Sequence, residues 1–88
     1  MKLIAIGNSA FVNPEHIKFI FPYDSRPIIR MVDEAKERNK LFDITLGKKT
    51  RSVIVMDDKS MYLSVLLPDT IVKRIEKNEG EIDESIGE

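Results

Sequence analysis

Apolar residues repeat at two different spacings along this chain, and each change of spacing marks a change of predicted element. "KLIAI" at 2–6 is a short apolar strand, closed by the turn signal Gly7-Asn8-Ser9. Phe11-Val12 follow, and Asn13-Pro14-Glu15 makes a second break. "HIKFIF" at 16–21 is a run of β-formers ended by Pro22. Its alternation predicts Ile17, Phe19 and Phe21 on one face. Residues 25–40, "SRPIIRMVDEAKERNK", change to helical spacing. Pro27 suits the first turn, Ile28, Val32 and Ala35 form one apolar stripe, and Asp33, Glu34 and Glu37 interleave with Arg30, Lys36 and Arg38.

"LFDITL" at 41–46 alternates as a strand and runs into Gly47. "RSVIVMDD" at 51–58 and "SMYLSVLL" at 60–67 read as two strands joined by a tight turn at Asp57-Asp58-Lys59. "PDTIVKRIEKN" at 68–78 starts with Pro68 and Asp69 and reads as a second helix, with Ile71, Val72 and Ile75 facing inward. The order β-β-α-β-β-β-α predicts a small α+β domain with a mostly antiparallel sheet and two helices. "SVIVM" at 52–56 has no polar residue after Ser52, so both faces of that strand are expected to be covered. Two helices reach only part of such a sheet, which leaves subunit contacts as a natural cover for the rest.

Length and charge sharpen this picture. Eighty-eight residues make one small domain, and a chain of this size gains from a partner subunit. There is no cysteine, so disulfides and thiolate metal sites are excluded. The apolar run near Met1 is too short for a signal peptide or a membrane span, which makes a cytoplasmic location the expectation. The net charge of −1 conceals an asymmetry. All fourteen Lys and Arg fall within residues 1–77 against ten acids, whereas residues 79–88 hold five acids and no base. The folded domain is therefore expected over 1–78. Residues 79–88 read as a disordered acidic tail, which acts either as a solubility appendage or as a competitor for polyanions.

Catalytic chemistry finds little support. The single histidine, His16, follows a turn at a strand start, and the carboxylates of Asp57 and Asp58 are expected to project apart on their hairpin. "GKKT" at 47–50 lacks the spacing of a phosphate loop, and a strand follows it where a helix should stand. No metal site and no cofactor is indicated. The basic turn itself remains. Gly47 permits a tight hairpin whose tip carries Lys48 and Lys49, flanked by the Thr50 hydroxyl and the Arg51 guanidinium. Such a group suits phosphate, and by composition it is equally well a solvated turn.

The chain resembles the RemA-like proteins, the extracellular matrix regulatory protein A family, over about residues 3–76. The resemblance lies in Ile4-x-Ile6-Gly7, Ser25-x-Pro27-Ile28-x-Arg30, Glu34-Ala35-x-Glu37-Arg38, Gly47-Lys48-Lys49-Thr50-Arg51-x-Val53-Ile54, Leu63-Ser64 and Pro68-x-Thr70. It implies a bacterial, non-enzymatic transcriptional regulator of extracellular-matrix genes, with a LytTR-like domain. It also implies a homo-oligomeric ring of seven or eight copies that holds double-stranded DNA by outward basic residues. Lys48, Lys49, Thr50 and Arg51 would form the main contact, with Lys18 and His16 at a neighbouring edge. The family usually has paired arginines where this chain has Lys48 and Lys49, an arginine at the position of His16, and an aromatic-glycine pair at Asn8-Ser9. Lysine keeps the charge and loses the planar fork, which implies weaker base discrimination. An RNA-binding module and a protein-only adaptor ring are the alternatives, although the chain lacks the interleaved aromatics of a base-stacking platform.

Overall fold

Six strands and two helices follow one another as β1 (Ile4–Gly7), β2 (Ala10–Val12), β3 (Ile17–Pro22), α1 (Arg26–Glu37), β4 (Leu41–Asp43), β5 (Ser52–Met56), β6 (Met61–Ser64) and α2 (Pro68–Gly80). The computed structural model describes residues 2–80. A single 3₁₀ turn, Pro14–His16, precedes β3 and is capped by Asn13, whose Oδ1 accepts from the Glu15 amide at 3.0 Å. The class is α+β, as the residue pattern predicts. The acidic tail expected over 79–88 lies mostly outside the described residues, and α2 itself runs through Gly80, two residues past its expected end.

β1 and β2 form an antiparallel hairpin, and the other strands form a four-stranded sheet in the order β3-β5-β6-β4. Asn8 and Ser9, with φ of 50° and 66°, turn the hairpin. Two successive left-handed residues match the twist of the flanking strands, and asparagine tolerates that region. β5 pairs antiparallel with both β3 and β6, while β4 pairs parallel with β6. The run at 41–46 is thus a three-residue strand and not one arm of a hairpin with β5. Both edges of β5 are already taken, so β4 adds to the outer edge of β6, and the chain then crosses the end of β6 to reach β5.

Two apolar layers enclose β5. On one face Val53 and Val55, with Met61 and Leu63 of β6, pack under Val32 and Ala35 of α1. On the other, Ile54 meets Ile4, Ile6 and Val12 of the hairpin and Ile71 of α2. A fully buried side chain of this size contributes about 1.5–3 kcal/mol, so the layers account for the apolar run at 53–56. A neighbouring subunit, expected as a natural cover for the rest of this sheet, is not needed to bury β5. The β1–β2 hairpin does so within one chain.

Three local expectations also change. β3 carries an irregularity between Ile17 and Phe19, which resets its alternation. Ile17 and Ile20 consequently pack on the hairpin side, Phe21 packs on the α1 side, and Phe19 is exposed and stacked on Phe21 at 5.5 Å. Val72 lies at the rim of the α2 stripe and is exposed, unlike Ile71 and Ile75. α1 stops short of Lys40 because Asn39 adopts φ 58°, which lets the Lys40 amide reach back to the Ala35 carbonyl at 2.8 Å.

Candidate nucleic-acid interface

The segment from Ile44 to Arg51 leaves the sheet edge at β4 and re-enters at β5, anchored at both ends. At its start the Thr45 amide and hydroxyl both donate to Asp43 Oδ1, at 2.9 and 2.6 Å, and Thr45 is buried. These bonds hold the Asp43 carboxyl below its ordinary pKa, the side-chain bond contributing most. Leu46 and Gly47 then take φ of 56° and 83°, and the Lys48 amide closes the turn on the Thr45 carbonyl at 3.1 Å. At the far end the Arg51 amide donates to the Ser64 carbonyl at 2.8 Å, and the Tyr23 amide donates to the Arg51 carbonyl at 3.2 Å. Asn8 adds a third tie, its Nδ2 donating to the Ile44 carbonyl at 2.6 Å.

Fixing the backbone in this way leaves the cationic side chains outside. Lys48, Lys49 and Arg51 are exposed and Thr50 is half-buried. Tyr23, Asp24, Lys49, Thr50, Arg51 and Leu67 help line a cleft of about 220 Å³ between the loop, the end of β3 and the start of α2. Three cations and a hydroxyl on a tethered loop can bind a strip of phosphates, with guanidinium contacts directional and ammonium contacts point-like.

His16 and Lys18 do not join this group. They sit at the opposite end of β3, where Ile17 pairs with Met56, whereas the loop meets the end where Pro22 pairs with Ser52. Five residues of strand separate the two ends by about 16 Å. The neighbouring edge expected for them is therefore the distant end of an outer strand. His16 is moreover bound to acid: its Nδ1 lies 2.7 Å from Asp57 Oδ2, and its carbonyl accepts from the Asp57 amide at 2.8 Å. Hydrogen bonding to Asp57 and its charge, helped by Glu15 and Asp58, raise the imidazole pKa above its ordinary value. Asp58 accepts from the Ser60 amide and hydroxyl at 3.0 and 2.6 Å, so the two carboxylates have different partners. Lys18 lies over the Phe19 ring, 5.8 Å from its centroid.

In the sequence Asn8 marks a turn and Ser64 belongs to the family resemblance, but neither they nor Asp43 are assigned a role in supporting the loop. Only Asp43-x-Thr45 carried a signal, since aspartate two residues before a hydroxyl residue marks a local turn. Among the described residues no group of three His, Cys, Asp or Glu could hold a metal, and no helix is long and apolar enough to cross a membrane.

Comparison with known proteins places this geometry in a family setting. The RemA-like model, extracellular matrix regulatory protein A-like, matches residues 3–75, a span that includes the whole loop. A candidate regulatory protein of Finegoldia magna is 43% identical over 83 residues, which cover 94% of this chain and 100% of the relative. Similarly described proteins of Dictyoglomus turgidum and Dictyoglomus thermophilum are each 46% identical, over 97% and 92% of this chain and 100% and 95% of their own.

Proposed function

The chain belongs to the RemA-like family of regulatory proteins, and from that premise we propose that it is a DNA-binding transcriptional regulator that acts by binding and not by catalysis. The observation that carries this reading is the loop at Leu46–Arg51. Its backbone is tied at Thr45 and Arg51 while Lys48, Lys49 and Arg51 project into solvent. Phosphate contacts of this kind neutralise charge and release counterions, and they position the duplex without reading its bases.

One loop is too little for firm binding at physiological salt. Three phosphate contacts give a slope of log K against log salt of only about −2.7. A homo-oligomeric ring that repeats the loop would multiply the contacts through effective concentration. Exposed Phe11, Phe19, Phe42 and Leu46 supply apolar surface for contacts between copies. With lysine at positions 48 and 49, selectivity would come from groove shape and bendability more than from base edges.

The test is duplex-DNA binding across a salt series for the wild type and for Lys48→Ala/Lys49→Ala. A wild-type slope steeper than about −2.7, weakened and flattened in the variant, supports repeated contacts at the loop. Equal binding by both proteins would move the DNA site elsewhere, and absence of binding by the wild type would remove it. A single-stranded RNA competitor separates the RNA alternative, and light scattering gives the number of copies.

A further inference from the structure

A second cationic surface lies along the middle and last turn of α2. Arg74 and Lys77 stand beside Leu3, Ile4 and Ala5, and together they line an open groove of about 370 Å³. β1 pairs with β2 on one side only. Along its other side Arg74 Nη1 donates to the Ala5 carbonyl at 2.9 Å, which fixes the guanidinium over the groove. Leu3, 51% exposed, supplies an apolar floor. Two cations above an aliphatic surface suit a segment that mixes carboxylates with aliphatic side chains.

The chain that continues from α2 has that chemistry. Residues 81–88, "EIDESIGE", hold Glu81, Asp83, Glu84 and Glu88, no Lys or Arg, and two isoleucines, Ile82 and Ile86. The described part of α2 reaches Gly80, which lies about 9 Å along the helix axis from Arg74. Eight residues span up to about 26 Å, so the groove is within their reach. We propose that the groove between β1 and α2 takes this acidic segment of the same chain, its carboxylates on Arg74 and Lys77 and its isoleucines against Leu3. An exposed ion pair alone is weak, and the short tether compensates by raising effective concentration. The basic loop lies where α2 begins, at Pro68. Docking on Arg74 and Lys77, about 9 and 14 Å along the helix from Pro68, keeps the acid off the cations proposed for DNA, and the segment does not compete with a polyanion. This inference does not depend on DNA binding.

The chain has no cysteine, so a nitroxide attached to the full-length Ser85→Cys variant reports from one place. The expected result is selective broadening of the Leu3, Ile4 and Ala5 methyl signals at low salt. That broadening should fall several-fold in high salt and in Lys77→Glu, with the buried Ile71 methyl shifts unchanged as a control on the fold. Broadening spread evenly over the surface, or insensitive to Lys77→Glu, overturns the proposal. Strongest broadening at Lys48–Arg51 would instead make the segment a competitor for the basic loop and also overturns it. Mixing nitroxide-bearing chains with isotope-labelled, nitroxide-free chains tests the commitment to one chain: broadening in the mixture would put the segment on a neighbouring copy. None of these readouts involves DNA, so their failure leaves the proposed function untouched.

Discussion

Ser52 and Ser64 face each other across β5 and β6, both fully buried, yet of their two hydroxyls only that of Ser64 is hydrogen-bonded among the described residues. Ser64 Oγ donates to the Ile6 carbonyl at 2.6 Å and accepts from the Leu66 amide at 3.0 Å, stitching the β1–β2 hairpin to the sheet beneath the basic loop. Ser52 Oγ has no partner among the described residues. Ser64→Ala should leave two backbone groups unpaired and cost about 1–3 kcal/mol, whereas Ser52→Ala, which removes an orphaned hydroxyl, should be neutral or slightly stabilising. Urea midpoints at unchanged slope measure both. Equal losses in the two variants would show that Ser52 has a partner after all.

Gly7 and Gly47 are both left-handed but differ in surroundings. Gly47, at φ 83°, has open space around it, so Gly47→Ala should cost only the backbone strain of about 1–2 kcal/mol. A Cβ on Gly7, at φ 116°, would meet Val65 Cγ2 at 3.4 Å in a region that side chains rarely enter. Gly7→Ala should therefore cost more, about 2–3 kcal/mol. Thermal melts rank the two, and the reverse order would contradict this account.

Asp43 separates positioning of the loop from its charge. Asp43→Ala removes a negative charge at the start of the loop, which by electrostatics alone would raise affinity for DNA. It also leaves the Thr45 amide and hydroxyl unpaired and frees the loop's first anchor. The second effect should dominate, giving a loss of about 1–3 kcal/mol in stability and weaker DNA binding. Because the folded pKa of Asp43 is lowered, its contribution is present above the ordinary carboxylate value and is lost as pH falls through the folded one. Tighter DNA binding by Asp43→Ala would mean that the anchor has no role.

The helices and the β5–β6 hairpin were legible in the sequence because each depends on neighbours in the chain. Ile28, Val32 and Ala35 share a helical stripe whatever surrounds them, and Asp57-Asp58-Lys59 is a turn in any context. The pairing of β4 was not legible. Leu41–Asp43 alternates equally well for a partner on either side, and only the prior claim of β3 and β6 on β5 sends it to the outer edge of β6. The irregularity at Lys18 likewise leaves no local mark, so simple alternation puts Ile17 on the face that only Phe19 and Phe21 share. The loop's cations were visible as a cluster in the sequence. Its ties to Asn8 and Ser64 were not, since they join Ile44 to a residue 36 positions away and Arg51 to one 13 positions away.

His16 gives the last prediction, through its partner Asp57. The imidazole lies 2.7 Å from the Asp57 carboxylate, with Glu15 and Asp58 adding negative charge. Its pKa is raised above the ordinary 6.5, so the pair's contribution to stability is fully present below that value and is lost as pH rises through the folded value. Both partners are 58% exposed, which keeps the effect on stability small. The imidazole titration itself, followed by NMR, is the sensitive readout. Its midpoint should lie above 6.5 in the wild type and move down in Asp57→Asn. DNA affinity should change little across that titration, because the imidazolium is paired with acid and lies about 16 Å of strand from the loop. An affinity that falls steeply as His16 loses its proton would return this residue to the DNA contact surface.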